Sequence, residues 1–185
     1  MGELEEFLAE NHLSGAQKIS KGWSSDIFLA QDTKGRKFVL KVLHAKSNRR
    51  HMSQKETEFL KLANSVGIGP HWLKTDFARN IVMMEFIDGV HFSEWVFGKI
   101  SKSELENFID ALFAQARALD EIGLDHGQLA GKGKNILVRG AMPVIIDFEK
   151  ASRSRKVHNV KVLESFLFRS KNSAIIKKIK ETLQG

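Results

Sequence analysis

The sequence contains no cysteine, which excludes disulfide bonds, zinc–thiolate sites and thiol nucleophiles. It also lacks an apolar run approaching the ~20 residues that a membrane-spanning helix needs. Its acidic beginning, with Glu3, Glu5 and Glu6, differs from the basic start of a signal peptide. Internal repeats and low-complexity segments are absent as well. We therefore expect a cytoplasmic protein with no membrane partner.

Size and charge restrict the architecture and the partners. A chain of 185 residues with 42% hydrophobic and 28% charged residues is typical of one globular domain or of two small lobes. The net charge of +7 is concentrated in residues 151–185, which hold nine Lys and Arg against two Glu. This segment is either the solvated face of a helix or a surface for phosphate-bearing partners. We expect possible RNA or ribonucleoprotein contact through residues 150–180.

The most informative stretch runs from Gly123 to Lys150. A turn-rich loop, residues 124–134, ends on Asn135, and two apolar runs, 136–138 and 144–146, flank a turn at Arg139-Gly140. This pattern predicts a β-hairpin that presents Asn135 and Asp147 side by side. An amide oxygen and a carboxylate suit Mg²⁺, which prefers oxygen ligands and usually keeps only one or two protein groups.

The first half of the chain is typical of a small antiparallel sheet with helices. An amphipathic helix is predicted over residues 3–11, strands over 17–21, 25–31 and 37–43, and a further hairpin over 71–77 and 81–87. A helix over residues 52–66 lies between the turn residues Asn48 and Gly67. Its predicted apolar stripe comprises Phe59, Leu60, Ala63 and Val66.

Lys41 interrupts an apolar strand, and Glu56 lies one turn before Phe59 and Leu60 on the stripe of the predicted helix. A charged group that faces a core requires a partner of opposite charge, so we predict a Lys41–Glu56 ion pair. The alternative is that Glu56 makes only a surface contact along its own helix.

The second half is predicted to be mainly helical. A short helix over residues 92–97 precedes a long one that opens on the capping box Ser101-x-x-Glu104 and continues through Ile122. A helix over residues 157–168 follows, and Asn172 or Ser173 caps a last helix that ends at Leu183.

Taken in order, these features resemble those of protein kinases. The set comprises a turn at residues 21–26, Lys41, Glu56, a hinge-like run at 84–87, His126-Gly127-Gln128, Asn135 and Asp147-Phe148-Glu149. The chain is identified as an atypical member of the protein-kinase-like superfamily. It is similar to archaeal predicted serine/threonine kinases and to the small RIO-type and KEOPS-subunit kinases. The resemblance implies an α+β, bilobal fold, with an N-lobe at residues 1–88 and a reduced, helical C-lobe at 89–185.

The resemblance also implies an ATP- and Mg²⁺-dependent serine/threonine kinase that acts on a protein, on itself or on water. Residues 124–135 would form the catalytic loop and residues 147–149 the metal loop, with Asn135 and Asp147 as ligands. The implied ATP-binding residues are Gly22, Ser24, Ser25, Lys41, Glu56, Met84, Glu85, Phe86 and Ile87.

The chain departs from the kinase pattern at three places. Gln128 occupies the position of the catalytic aspartate, and either Asp125 replaces it as the base or Asp125 only orients His126. The step from Gln128 to Asn135 is seven residues rather than five, and its Lys132 and Lys134 either neutralise the transferred phosphate or are solvated. Glu149 replaces a glycine, as in aminoglycoside kinases. A pseudokinase, an RNA-binding module and a small-molecule kinase therefore remain alternatives.

Overall fold

A computed structural model describes residues 2–44, 50–169 and 173–185 of the protein. The fold divides into two compact units: Met1–Lys61 with Pro70–Phe86, and Leu62–Gly69 with Ile87–Gly185. The predicted turn residue Asn48 and the alternative cap Asn172 lie outside the described residues.

The first unit is built on a five-stranded antiparallel sheet. Its strands are β1 (Leu13–Lys21), β2 (Ser25–Asp32), β3 (Lys37–Leu43), β4 (Trp72–Asp76) and β5 (Ile81–Glu85). They are arranged in the order β1-β2-β3-β5-β4. All five predicted strands are confirmed, because alternating apolar residues and polar turns determine both the period and the breaks of such a sheet.

Two helices accompany this sheet, α1 (Glu3–Glu10) and α2 (Arg50–Asn64). Phe7 of α1 is fully buried among residues of β1, β2, β3 and β5, so the helix contributes to the core as predicted. Helix α2 ends two residues before Val66, which is exposed. Including Val66 in the apolar stripe was therefore wrong, because the chain has left helical geometry before it reaches that residue.

In the part of the second unit that the structure describes, there are four α-helices and a three-stranded sheet. Its elements are β6 (Val90–His91), α3 (Phe92–Trp95), α4 (Lys102–Glu121), β7 (Ile136–Arg139), β8 (Met142–Ile145), α5 (Asn159–Glu164) and α6 (Ala174–Gln184). The sheet order is β6-β7-β8. The hairpin of β7 and β8 is the predicted one, whereas the two-residue strand β6 was not predicted.

Helix α4 leads into the loop of residues 124–135. Ser101 and Glu104 form the predicted capping box, and the apolar stripe of α4 is buried from Leu105 to Leu119. At the other end Gly123 adopts a φ of 71°, and the Leu124 amide donates to the carbonyl of Leu119. The glycine at positive φ and this hydrogen bond end the helix, and the chain then enters the loop of residues 124–135.

The C-terminal helices differ in detail from the prediction. Helix α5 starts at Asn159 rather than at residue 157, and a π-helical turn, Ser165–Arg169, follows it. Ser173 caps α6 by accepting a hydrogen bond from the Ile176 amide, as predicted. Across the described ranges, no helix is both long and apolar enough to cross a membrane.

Candidate active site

The β7–β8 hairpin brings Asn135 and Asp147 to the same end of the small sheet. Ile136 pairs with Ile145, and the amide of Ile146 donates to the carbonyl of Asn135 at 2.9 Å. Asn135 thus lies one residue before the Ile136–Ile145 pair, and Asp147 lies two residues after it. The local geometry follows from the alternation of apolar residues on two short strands, as the sequence predicted.

The Asn135 amide group is oriented by the loop that precedes it. Its Nδ2 donates to the carbonyl of Gln128 at 2.7 Å, so Oδ1 is the end of the amide suited to binding a cation. Asp147 adopts a left-handed conformation, with φ 67° and ψ 71°. Such a conformation costs a non-glycine residue about 1–3 kcal/mol, and strain of this kind is concentrated at functional sites.

This donor set fits Mg²⁺. Among the described residues, no cluster of three or more His, Asp or Glu side chains could hold a metal ion. One carboxylate with one amide oxygen is nevertheless the pattern expected for Mg²⁺, which takes its remaining ligands from water and substrate phosphates. Asn135 and Asp147 would hold the ion, which would neutralise phosphate charge when bound.

His126 fastens the catalytic loop to the metal loop. Its imidazole is fully buried, its Nε2 lies 3.0 Å from the carbonyl of Ile146, and its Nδ1 accepts from the Gln128 amide at 3.4 Å. Because a carbonyl can only accept, the proton lies on Nε2 and the ring is neutral. Burial lowers the pKa of His126, although the Ile146 carbonyl and nearby carboxylates oppose this effect. His126 was predicted as a catalytic-loop residue, and its geometry suits positioning.

Asp125 is buried and held by the segment after the metal loop. Its carboxylate accepts from Arg155 Nε at 2.8 Å, and its main chain forms two hydrogen bonds with Ser152. Arg155 also donates from Nη2 to the carbonyl of Lys150 at 2.5 Å. Arg155 therefore links the catalytic loop, at Asp125, to Lys150, which directly follows the metal loop. The sequence gave no reason to assign this role to Arg155 and not to another basic residue nearby.

Asn159, which is 1% exposed, holds the start of the catalytic loop through its side chain. Its Oδ1 accepts from the amide of His126 at 2.9 Å, and its Nδ2 donates to the Leu124 carbonyl at 2.8 Å and to Asp120 Oδ1 at 2.7 Å. Asp120 also accepts from the amides of Asn159 and Val160 at the start of α5. This pair was not predicted from the sequence, in which the only signal was a carboxylate on the last turn of α4.

The inserted residues of the loop form a short 3₁₀ turn, Gly131–Gly133. Lys132 and Lys134 are exposed, so either of their predicted roles remains open. Gly131 has a φ of 43°, and a Cβ atom there would lie 2.7 Å from Cγ of Asn135. The insertion thus packs its glycine against the candidate metal ligand.

In the first unit, the predicted ion pair between β3 and α2 is present. Lys41 Nζ lies 2.8 Å from Glu56 Oε1, and the two residues are only 6% and 2% exposed. The alternative interpretation, in which Glu56 makes only a surface contact along its own helix, is therefore wrong. Removing one partner of a buried ion pair typically costs about 3–5 kcal/mol of stability. The position of Lys41 relative to Glu56 is therefore strongly constrained.

The turn between β1 and β2 consists of Gly22, Trp23 and Ser24. The Gly22 amide donates to the Ser25 carbonyl at 2.7 Å, and Ser24 and Ser25 are buried. Trp23, by contrast, is 96% exposed. Phosphate binding by Gly22, Ser24 and Ser25 stays a prediction.

The hinge-like run is the end of β5. Met84 is buried and pairs with Val39, while the Glu85 amide donates to the carbonyl of His71 at 2.8 Å. Phe86 is partly buried beneath Lys37, and Ile87 is buried. Adenine binding by Met84, Glu85, Phe86 and Ile87 stays a prediction.

Several basic residues after the metal loop are exposed although they are ion-paired. Arg155 pairs with Asp125, Arg169 with Glu164 and Lys150 with Glu149. Arg153 and Lys156 are exposed as well. RNA or ribonucleoprotein contact through residues 150–180 stays a prediction.

Comparison with known proteins supplies the family. Residues 15–134 match the model of the phosphotransferase enzyme family, APH. The chain is also 31% identical over 100 residues to the uncharacterized protein MJ1211 of Methanocaldococcus jannaschii, a match that covers 54% of this chain and 83% of that protein.

Solved kinase structures share the fold. The Rio2 kinase–ADP/Mg²⁺–phosphoaspartate complex from Chaetomium thermophilum matches 97% of this chain, with a TM-score of 0.67 and 21% identity. The autoinhibited serine kinase domain of the giant muscle protein titin matches 79% of it, with a TM-score of 0.67 and 16% identity. The chain spans 64% and 47% of those two structures. An archaeal origin and a relation to KEOPS subunits stay predictions, as does the detailed division into lobes. The chain belongs to the phosphotransferase enzyme family, and its fold is similar to that of solved kinase structures.

Proposed function

We propose that the protein transfers the γ-phosphoryl group of ATP, with Mg²⁺, to a serine or threonine hydroxyl of a protein or of the chain itself. The observation that carries this proposal is the position of Asn135 and Asp147, which lie just beyond the Ile136–Ile145 pair at one end of the β7–β8 hairpin. The Asn135 amide is turned by its bond to the Gln128 carbonyl. ADP and Mg²⁺ in the similar Rio2 structure support the same ligand classes here.

Each group has a defined part in this reaction. Asn135 and Asp147 would hold Mg²⁺, which would neutralise phosphate charge when bound. In the first unit, Lys41, fixed by Glu56, is the candidate cation for phosphate binding. Positioning and electrostatic stabilisation supply most of the acceleration in phosphoryl transfer. These groups therefore support transfer even though Gln128 cannot take a proton from the acceptor.

The conformation of Asp147 makes it a suitable residue to test. Asparagine tolerates left-handed geometry better than other non-glycine residues, so Asp147→Asn removes the charge without adding backbone strain. Asp110→Asn is the matched control, because Asp110 is exposed on α4 and remote in sequence from either loop.

The experiment compares thermal unfolding with ATP, with Mg²⁺ and with both, and follows transfer of labelled γ-phosphate on the same samples. A ligand at about 100 times its Kd stabilises a protein by about 2.7 kcal/mol. We expect this stabilisation in the wild type and in Asp110→Asn only when ATP and Mg²⁺ are both present. Asp147→Asn should lose the Mg²⁺-dependent part and the transfer.

Two results would contradict the proposal. One is a wild type that millimolar ATP and Mg²⁺ do not stabilise, and the other is full transfer by Asp147→Asn. Separating labelled protein, labelled small molecules and free phosphate identifies the acceptor. Label found only on a small molecule would replace the protein-kinase assignment with a small-molecule kinase.

A further inference from the structure

His158, immediately before α5, is held by one of its two ring nitrogens. Its Nδ1 lies 2.8 Å from the carbonyl of Lys156 and 3.3 Å from Oδ1 of Asp125. Both neighbouring oxygens are acceptors, so the Nδ1 atom carries a proton. In the neutral ring Nε2 is then the basic nitrogen.

His158 lines a cavity of about 140 Å³ whose walls are formed mostly by residues of the catalytic loop. Gln128, at the position of the catalytic aspartate in the resembling kinases, borders the same cavity. One water needs only about 10–15 Å³ of such space, so a short hydroxyl-bearing side chain fits. The cavity is lined by Asp125, Gly127, Gln128, Leu129, Ala130, Gly131, His158, Asn159 and Val162.

A purely structural role explains His158 poorly. Its side chain makes no capping bond to α5, because Asp120 already accepts from the amides of Asn159 and Val160. The side chain is also 49% exposed, so it fills little of the core. What its contacts do accomplish is to fix the tautomer and to limit the rotation of the ring.

We propose that His158 is the general base for the acceptor hydroxyl, with Asp125 as its positioning residue; this inference rests on the proposed function. The acceptor O–H gives its proton to Nε2 while its oxygen forms a bond to the γ-phosphorus of ATP. The bond from that phosphorus to the β–γ bridging oxygen breaks, and ADP leaves with the electron pair. The imidazolium then releases its proton to water, and the Nδ1 proton stays in place throughout.

The contacts of Asp125 suit it to position His158. Its Oδ1 faces Nδ1 of the ring from the catalytic loop at 3.3 Å. Arg155 donates from Nε to the other oxygen of Asp125 at 2.8 Å. Asp120 of α4 accepts from the adjacent Asn159. The carboxylate that holds the ring is thus itself held in place.

His158→Asn is the sharpest variant. The Nδ2 of asparagine has the reach to replace the Nδ1–H donor to Lys156 and Asp125, so the structural contact is kept while the base is removed. His12→Asn is the matched control, because His12 is exposed and has a φ of 53°, which asparagine tolerates. His158→Gln serves as a second variant, and circular dichroism checks folding.

The readout is total loss of γ-phosphate from ATP, counted as labelled protein plus free phosphate, between pH 5 and 8. We expect wild-type turnover to rise with pH across this window, in which imidazoles titrate. His158→Asn and His158→Gln should keep the Mg²⁺–ATP thermal shift, lose about 10²–10⁴-fold in turnover and lose the rise with pH. His12→Asn should behave as the wild type.

The failures are distinguishable. Wild-type protein that neither binds nor turns over ATP overturns the proposed function and this inference with it. Two results would overturn the role of His158 alone. In the first, the wild type is active and the turnover of His158→Asn is within about threefold of the wild-type turnover. In the second, the wild-type turnover does not change with pH.

Discussion

Replacing Asn159 with alanine tests whether the catalytic loop depends on one buried amide. The side chain makes three hydrogen bonds, to the His126 amide, to the Leu124 carbonyl and to Asp120, at 2.9, 2.8 and 2.7 Å. A neutral hydrogen bond contributes about 1 kcal/mol and one to a charged group about 1.5–3 kcal/mol. The free energy of unfolding should therefore fall by about 3–5 kcal/mol, a large part of the ~5–15 kcal/mol that a domain has.

Urea unfolding followed by tryptophan fluorescence and by circular dichroism measures this loss. The two probes are compared because the fold divides into two units, which need not unfold together. Asn107→Ala is the control: Asn107 is exposed on α4, and alanine is the better helix former there, so no loss is expected. A loss below about 1 kcal/mol in Asn159→Ala, at unchanged urea dependence, would refute the assigned bonds.

Two further predictions concern the loop itself. Burial lowers the pKa of His126, so the unfolded chain takes up a proton first, and stability should fall as the pH drops below about 6.5. His126→Gln should reduce the dependence of the free energy of unfolding on pH, which for one group is at most about 1.4 kcal/mol per pH unit. Urea titrations of both proteins at pH 7 and pH 5 measure this dependence. The same pH dependence in the variant and in the wild type would contradict the prediction. Gly131→Ala should lose about 1–2 kcal/mol of stability and most of the Mg²⁺–ATP thermal shift, because the new methyl group meets Asn135. Gly35→Ala, also at positive φ but with open space around it, should lose only stability; equal ATP shifts in both variants would contradict the assigned packing.

The sequence was informative wherever a periodic pattern carried the information. Alternating apolar residues placed the β7–β8 hairpin, and with it the positions of Asn135 and Asp147 just beyond its paired residues. Lys41 interrupts an apolar strand, and Glu56 interrupts the apolar stripe of a helix. These two positions predicted that the residues are partners. In each case the burial of neighbouring residues limits where a polar side chain can go.

The buried polar network could not be predicted in the same way. Asp120 and Asn159 are 39 residues apart, and neither interrupts an apolar period that would mark it as buried. Their partners are mainly main-chain groups, which every residue possesses, so residue type carries little information about the pairing. The left-handed Asp147 was missed for a related reason, because its conformation is imposed by the surrounding loop.

The contacts of residue 128 show how the loop accommodates a glutamine at this position. Residue 128 supports its neighbours through the main chain: its carbonyl accepts from Asn135, and its amide donates to His126. Neither bond depends on the side chain, so an aspartate at this position can be replaced without disturbing the amide that would bind Mg²⁺. Loss of that acid removes only the proton acceptor, and the nearby Asp125–His158 pair is placed to supply one.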